Sequence, residues 1–114
     1  MIIFYIIMAT QLTSKTFKKE VLESAQPVMV DFFASWCGPC KMMLPIVDEL
    51  AKEMEKVIKI FKVSIEEEEA LASEYGVMSI PTFLFFKNGK VVDQAGGAMT
   101  KDALAKVIKK AIKS

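Results

Sequence analysis

Val28-Met29-Val30-Asp31-Phe32-Phe33-Ala34-Ser35-Trp36-Cys37-Gly38-Pro39-Cys40-Lys41 carries the decisive pattern of this chain: a run apolar except for Asp31, a short turn, then two cysteines separated by two residues. The apolar run has the pattern of a central strand covered on both faces. Ala34 to Pro39 makes the turn, and a long helix follows from Cys37 onward. These are the only cysteines, and histidine is absent. Tetrahedral zinc needs a full set of nitrogen or sulfur ligands, so zinc held within one chain is excluded. A bridge closing so small a loop removes little unfolded-chain entropy and makes a poor structural staple. The pattern therefore reads as a reactive dithiol, a redox switch.

A chain of 114 residues forms one domain able to bury its own core, and 53% hydrophobic residues argue against disorder. Its net charge of +1 gives no bulk electrostatic reason to bind nucleic acid or an anionic membrane. Proteins are the partners that fit. The residues divide into an apolar N-terminal extension, 1–8, and a domain over 9–114. Met1 to Met8 carries no charged side chain, is too short to span a bilayer, and lacks both the basic start and the cleavage site of a secretory signal. Three readings stand for it: a β-prone extension of the first strand, a sticky tail, or codons upstream of a true start at Met8. Its β-branched content suits pairing at a sheet edge, including pairing between two molecules, although a monomer is the primary expectation.

Beyond it, Ala9 to Leu12 forms a short strand, and Thr13 or Ser14 caps a helix that buries Phe17, Val21 and Leu22. Pro27 ends that segment. After the strand over Val28 to Phe33, the helix from Cys37 places Met43, Val47, Leu50, Ala51 and Met54 on one stripe, with Pro45 inside it and a kink expected there. Val57 to Ile65 reads as the next strand. Glu66 to Glu69 then put negative charge at the N-terminus of a helix carrying Leu71 and Tyr75, with Gly76 as its C-terminal cap. Thr82 to Phe86 and Val91 to Ala95 flank Asn88-Gly89, a strong hairpin signal, and Thr100 caps a last helix. The order β-α-β-α-β-α-β-β-α predicts an α/β fold: a mixed, twisted central sheet with helices on both faces, and activity at the carboxyl ends of its parallel strands, where Cys37 falls.

These residues resemble the thioredoxin family over Ala9 to the C-terminus. The likeness rests on Val30-Asp31-Phe32, on Trp36-Cys37-Gly38-Pro39-Cys40-Lys41, on Ile80-Pro81-Thr82, on Lys87-Asn88-Gly89, and on Gly97 before the last helix. Phe33 departs from it, since many members have a second tryptophan there, and so does the apolar extension. The resemblance implies the thioredoxin fold and a protein-disulfide reductase that binds no cofactor. Its electrons would come from a flavin- and NADPH-linked thioredoxin reductase and pass to client proteins in the cytoplasm, which the absence of a recognisable signal also favours.

Each residue of the pattern then has an expected part. Thiolate rather than thiol attacks a disulfide, and Cys37 at a helix N-terminus has the dipole and free N–H groups that lower a thiol pKa. Cys40, a turn further in, is the resolving thiol. Pro39 suits the first helical turn, and neither it nor Gly38 adds the proton donor that makes related disulfides more oxidising, which favours a reductant. Asp31, buried in its strand, should have a raised pKa and act as a proton carrier. The resemblance implies that it serves Cys40 through water, with Lys62 on the adjacent strand as its charge partner. It also implies a cis bond at Ile80-Pro81 facing Cys37, with Trp36, Ile80, Gly97 and Ala98 around the sulfur as an apolar patch where an extended client pairs with the backbone before Pro81. Two other classes compete: a scaffold that uses the same patch with its cysteines dispensable, and an oxidising or isomerising protein outside the cytosol.

Overall fold

A computed structural model describes residues 9–114. The three readings of 1–8, and with them the dimer through that segment, lie outside the described residues. Within them, β2 (Val28–Phe33) takes the middle of a five-stranded sheet ordered β1-β3-β2-β4-β5. It runs parallel to β3 (Lys59–Ser64), which places Asp31 opposite Lys62, and antiparallel to β4 (Thr82–Lys87), which places Asp31 opposite Phe83. A two-residue β1 (Thr10–Gln11) lies parallel on the outer side of β3, and β5 (Lys90–Gly96) closes the other side antiparallel to β4.

Helices cover both faces, as the order of elements implied. α2 (Gly38–Glu53) and α4 (Lys101–Ile112) pack Met43, Val47, Leu50, Leu104 and Ile108 against Met29, Ile60, Phe83 and Phe85. On the opposite face, α1 (Ser14–Phe17), the π-helical segment Lys18–Leu22 that continues it, and α3 (Glu69–Glu74) bury Phe17, Val21 and Leu71 against Val28, Val30, Phe32, Leu84 and Phe86. The alternation of β2 thus sends Met29, Asp31 and Phe33 under α2, and Val28, Val30 and Phe32 to the other core.

Several boundaries differ from the sequence reading. Val57 is exposed and precedes β3, because the chain leaving α2 first turns, with Val57 N–H bonded to the carbonyl of Met54. Leu22 is only partly buried, at the end of the π-helical segment. Of the acidic run, Glu68 is the N-cap and Glu69 the first residue of the short α3, while Glu68 also accepts from the Ser14 N–H at 3.0 Å and Glu66 accepts from Ser35. Those two carboxylates are taken up by backbone donors of other segments, which stitches the loop before α3 to the rest of the fold.

Caps and turns follow the sequence closely. Thr100 Oγ1 accepts from the Ala103 N–H at 3.1 Å, and Lys101 bridges from α4 to Glu49 and Glu53 of α2. The hairpin between β4 and β5 holds Asn88 at φ 52° and Gly89 at φ 79°, the left-handed pair that a tight two-residue turn requires. A Cβ on Gly89 would also stand 2.8 Å from the backbone oxygen of Leu22. Gly89→Ala is therefore expected to destabilise the fold by about 1–3 kcal/mol through backbone strain and this contact. Urea denaturation checks it: a variant as stable as the parent would show that the turn relaxes freely.

Candidate active site

The carboxyl end of β2 releases the chain into the turn Ala34 to Trp36, and the Cys37 N–H closes that turn on the Ala34 carbonyl at 3.2 Å. Cys37 is the N-cap of α2 in extended conformation, with Gly38 and Pro39 in the first turn. Proline costs nothing at that position, since the N–H it lacks has no intrahelical acceptor there. Cys37 and Cys40 form a disulfide with a Cα–Cα distance of 5.2 Å. The Cys37 sulfur accepts from the Cys40 N–H at 3.1 Å, one of the free donors that a helix start offers. The expected difference between the two sulfurs is slight in exposure, since Cys37 is 5% and Cys40 2% accessible. They differ more in what surrounds them.

On the outer side, the Cys37 sulfur lies 3.9 Å from the carbonyl oxygen of Ile80, and the Ile80-Pro81 bond is cis. No group among the described residues accepts from the Ile80 N–H. Pro81 itself is buried, and its carbonyl receives the Gly97 N–H at 2.9 Å, which brings the Gly97-Ala98 segment alongside. Trp36 stands 66% exposed, which rules out core filling. Gly97 and Ala98 are exposed as well. The sequence reading missed how far this apolar surface reaches. Met42 is 67% exposed and shares with Met43, Ile46, Ala98 and Met99 a groove of about 370 Å³. Met42 falls off the buried stripe of α2, a signal that was present in the pattern.

On the inner side, Cys40 lines a cavity of about 250 Å³ with Gln11, Phe33, Ala34, Lys41, Leu44 and Lys62 among its walls. Asp31, opposite Lys62 in the sheet, is 1% exposed, and its Oδ1 has no hydrogen-bond partner among the described residues. Burial pushes its pKa from 3.8 up to about 7, opposed by the positive charge of Lys62 and reinforced by the negative charge of Asp48. Lys62 is its register neighbour, yet no ion pair within 4 Å joins them among the described residues. The Lys62 ammonium sits 5.8 Å from the centre of the Phe33 ring instead, a cation–π contact worth roughly 0.5–2 kcal/mol. The expected charge partner is thus present as a neighbour at a distance. Asp48 was not anticipated; it accepts the Ala9 N–H at 3.0 Å and ties the start of β1 to α2. Glu66, by its sequence a helix-end charge, accepts from the Ser35 N–H at 2.7 Å and the Ser35 hydroxyl at 2.8 Å. Both bonds hold its carboxyl below the usual range and brace the turn before the cysteines.

A disulfide at a helix N-terminus, beside a cis-proline, follows the carboxyl end of a central strand that buries an acid. The thioredoxin family model matches residues 8–110. The chain belongs to the thioredoxin family. It is 50% identical over 105 residues to thioredoxin of Rickettsia felis, a match covering 92% of this chain and 100% of that protein. Thioredoxin 1 of a Nostoc species is 50% identical over 102 residues (90% of this chain, 95% of that one), and thioredoxin of Pyropia yezoensis 47% over 103 (90% and 96%). As a thioredoxin the chain is a thiol–disulfide oxidoreductase with a redox-active cysteine pair. The described residues hold no group of three metal-ligating side chains and no helix long and apolar enough to cross a membrane.

The raised pKa of Asp31 sets the sign of a pH dependence. Between 3.8 and about 7 the folded protein holds a proton that the unfolded chain releases, so stability falls as pH rises through this window. The full penalty, on the order of 4 kcal/mol, is present above it. Asp31→Asn is expected to be more stable than the parent at pH 8, and its advantage should shrink by about 3 kcal/mol at pH 5. Denaturant unfolding at the two pH values reads the difference. An advantage that does not change with pH would show that Asp31 titrates normally.

Proposed function

We propose that this thioredoxin is a general protein-disulfide reductase of the cytoplasm, with residues 9–114 as its working domain. The observation that carries the reading is the Cys37 sulfur at the N-cap of α2, receiving the Cys40 N–H at 3.1 Å, beside an exposed Trp36 and the cis Ile80-Pro81 backbone. In the dithiol state the same N–H and the helix dipole stabilise a thiolate at Cys37. That thiolate attacks one sulfur of a client disulfide, forms a mixed disulfide, and expels the other client sulfur as a thiolate that takes a proton from water. Cys40 then gives its proton to the Asp31 carboxylate through water and attacks the Cys37 sulfur. The Cys37–Cys40 disulfide forms, the second client thiolate leaves, and the dithiol has delivered two electrons.

An extended client segment can reach the Ile80 N–H and carbonyl, as an added strand does, while Trp36, Ile80, Gly97 and Ala98 give it an apolar bed. Lys62 moderates the cost of ionising Asp31. The turn carries no histidine to stabilise the reduced form further, which supports a reducing poise. A flavin-linked thioredoxin reductase fed by NADPH restores the dithiol, and no bound cofactor takes part. An active dithiol as the sole use of cysteine suits a reducing compartment.

Cys40→Ser is expected to accumulate client proteins as mixed disulfides through Cys37, released by dithiothreitol and absent from Cys37→Ser/Cys40→Ser. Client retention insensitive to dithiothreitol would make the chain a scaffold instead. Asp31→Asn should slow insulin reduction near pH 7 by up to about 100-fold while the fold is retained. Unchanged turnover would remove Asp31 from the proton path.

A further inference from the structure

Phe33 and Lys62 form a contact that the reaction scheme above does not use. Phe33 is two residues beyond Asp31 on β2, so both side chains lie on the α2 face, and Lys62 is directly opposite Asp31 on β3. From that position the ammonium has two destinations within reach. It can approach the carboxylate, or it can lie over the ring one step along the strand. The structure shows the second: the Lys62 nitrogen is 5.8 Å from the Phe33 centroid, and no ion pair within 4 Å joins it to Asp31 among the described residues. Phe33 and Lys62 also line the cavity that reaches Cys40, and Phe33 packs against Ala34, Cys37 and Cys40.

We infer that Phe33 is a positioning residue, whose ring holds the Lys62 ammonium off Asp31 and thereby keeps that carboxyl able to take up and release a proton near neutral pH. An opposite charge brought to within about 4–6 Å lowers a carboxyl pKa by about 1–3 units, which would leave Asp31 ionised throughout the working range and poor at returning a proton. The other groups facing Asp31 set the background. Asp48 on α2 opposes ionisation, Cys40 on α2 is held in the disulfide, Gln11 shares the row from β1, and β4 offers only Phe83. Lys62 is the one cation among the causes of the Asp31 shift, so its placement decides how strongly the carboxylate is favoured. The inference rests on Asp31 as proton carrier for its effect on turnover, but not for the contact itself.

The test is a double-mutant cycle read on the oxidised protein, in which neither cysteine titrates, by following the Asp31 side-chain carboxyl carbon by NMR against pH. Phe33→Leu is expected to lower the Asp31 midpoint by about one pH unit. Phe33→Trp, with a stronger ring face for a cation, should keep it where it is. In the Lys62→Met background the same Phe33→Leu change should leave the midpoint in place. An equal shift in both backgrounds would mean that Phe33 acts by shielding Asp31 from water, and no shift when Lys62 is intact would mean that the ring does not hold the ammonium; either result overturns the inference. Should Phe33→Leu not fold, Phe33→Val, suited to a strand end, runs the same cycle. The pH profile of insulin reduction separates the two readings. A midpoint that moves while the profile stays fixed would discard Asp31 as proton carrier and leave the contact standing.

Discussion

Because β2 has sheet neighbours on both edges and helices over both faces, each residue from Val28 to Phe32 is withdrawn from water, and a carboxyl among them must bear the full cost of desolvation. That constraint reaches every part of the site. It makes the strand apolar, raises the pKa of its one acid, and fixes the point at which the chain emerges as the carboxyl end of a central strand. Cys37 emerges there, in the turn that starts α2. The buried strand therefore delivers a sulfur to a helix N-terminus and leaves an acid beneath the same helix. The anchoring is reciprocal, since α2 is held against the strand by Met43, Val47 and Leu50, and to α4 by the Lys101 bridges to Glu49 and Glu53.

Elements with a strong period were legible in the sequence. β2 has the predicted bounds, and α2 buries Met43, Val47, Leu50 and Ala51 of the predicted stripe with Met54 only partly buried at its C-cap, because hydrophobic burial dominates there and writes itself into the spacing of apolar residues. The hairpin was legible for a different reason: Asn88-Gly89 is chosen for backbone conformation, and its positive φ angles are the direct consequence. What escaped was set by polar contacts between distant segments. Nothing local to Glu66 indicates that Ser35 will be its donor, nor does the neighbourhood of Asp48 point to the Ala9 N–H. The acidic run was assigned to a helix end because only the local dipole is visible without tertiary structure. The short first strand is legible over Ala9 to Leu12, but its two-residue extent is set by pairing with Phe61 and Lys62 rather than by a period of its own.

Within the site, residue identity was more legible than arrangement. Cys37, Cys40 and Asp31 announce themselves by chemistry, as the only thiols and as the one charge in an apolar strand. Lys62 could be assigned to Asp31 by register, and the register is as expected. Its side chain, however, has several conformations open to it, and which one it adopts depends on whether a ring or a carboxylate offers the better partner. That competition is decided by Phe33 and by the dryness around Asp31, neither of which a strand pairing specifies.

The two sulfurs face different surroundings, and the separation bears on how a dithiol can work under a bound protein. Cys37 lies near the Ile80 carbonyl and follows the exposed Trp36, the side on which the proposed reaction seats its partner. Cys40 borders the cavity walled by Gln11, Leu44, Lys41 and Lys62. A partner lying over the first surface excludes water from the attacking sulfur, which strengthens electrostatic effects there. Proton exchange in the second step needs the opposite: a path that stays hydrated while the first surface is covered. A cavity that reaches Cys40 from beside β1 meets this need, because its walls do not include Trp36, Ile80, Gly97 or Ala98. Under the proposed reaction the covalent step and the proton step would then be served from different sides of one disulfide, and neither would have to wait for the partner to leave.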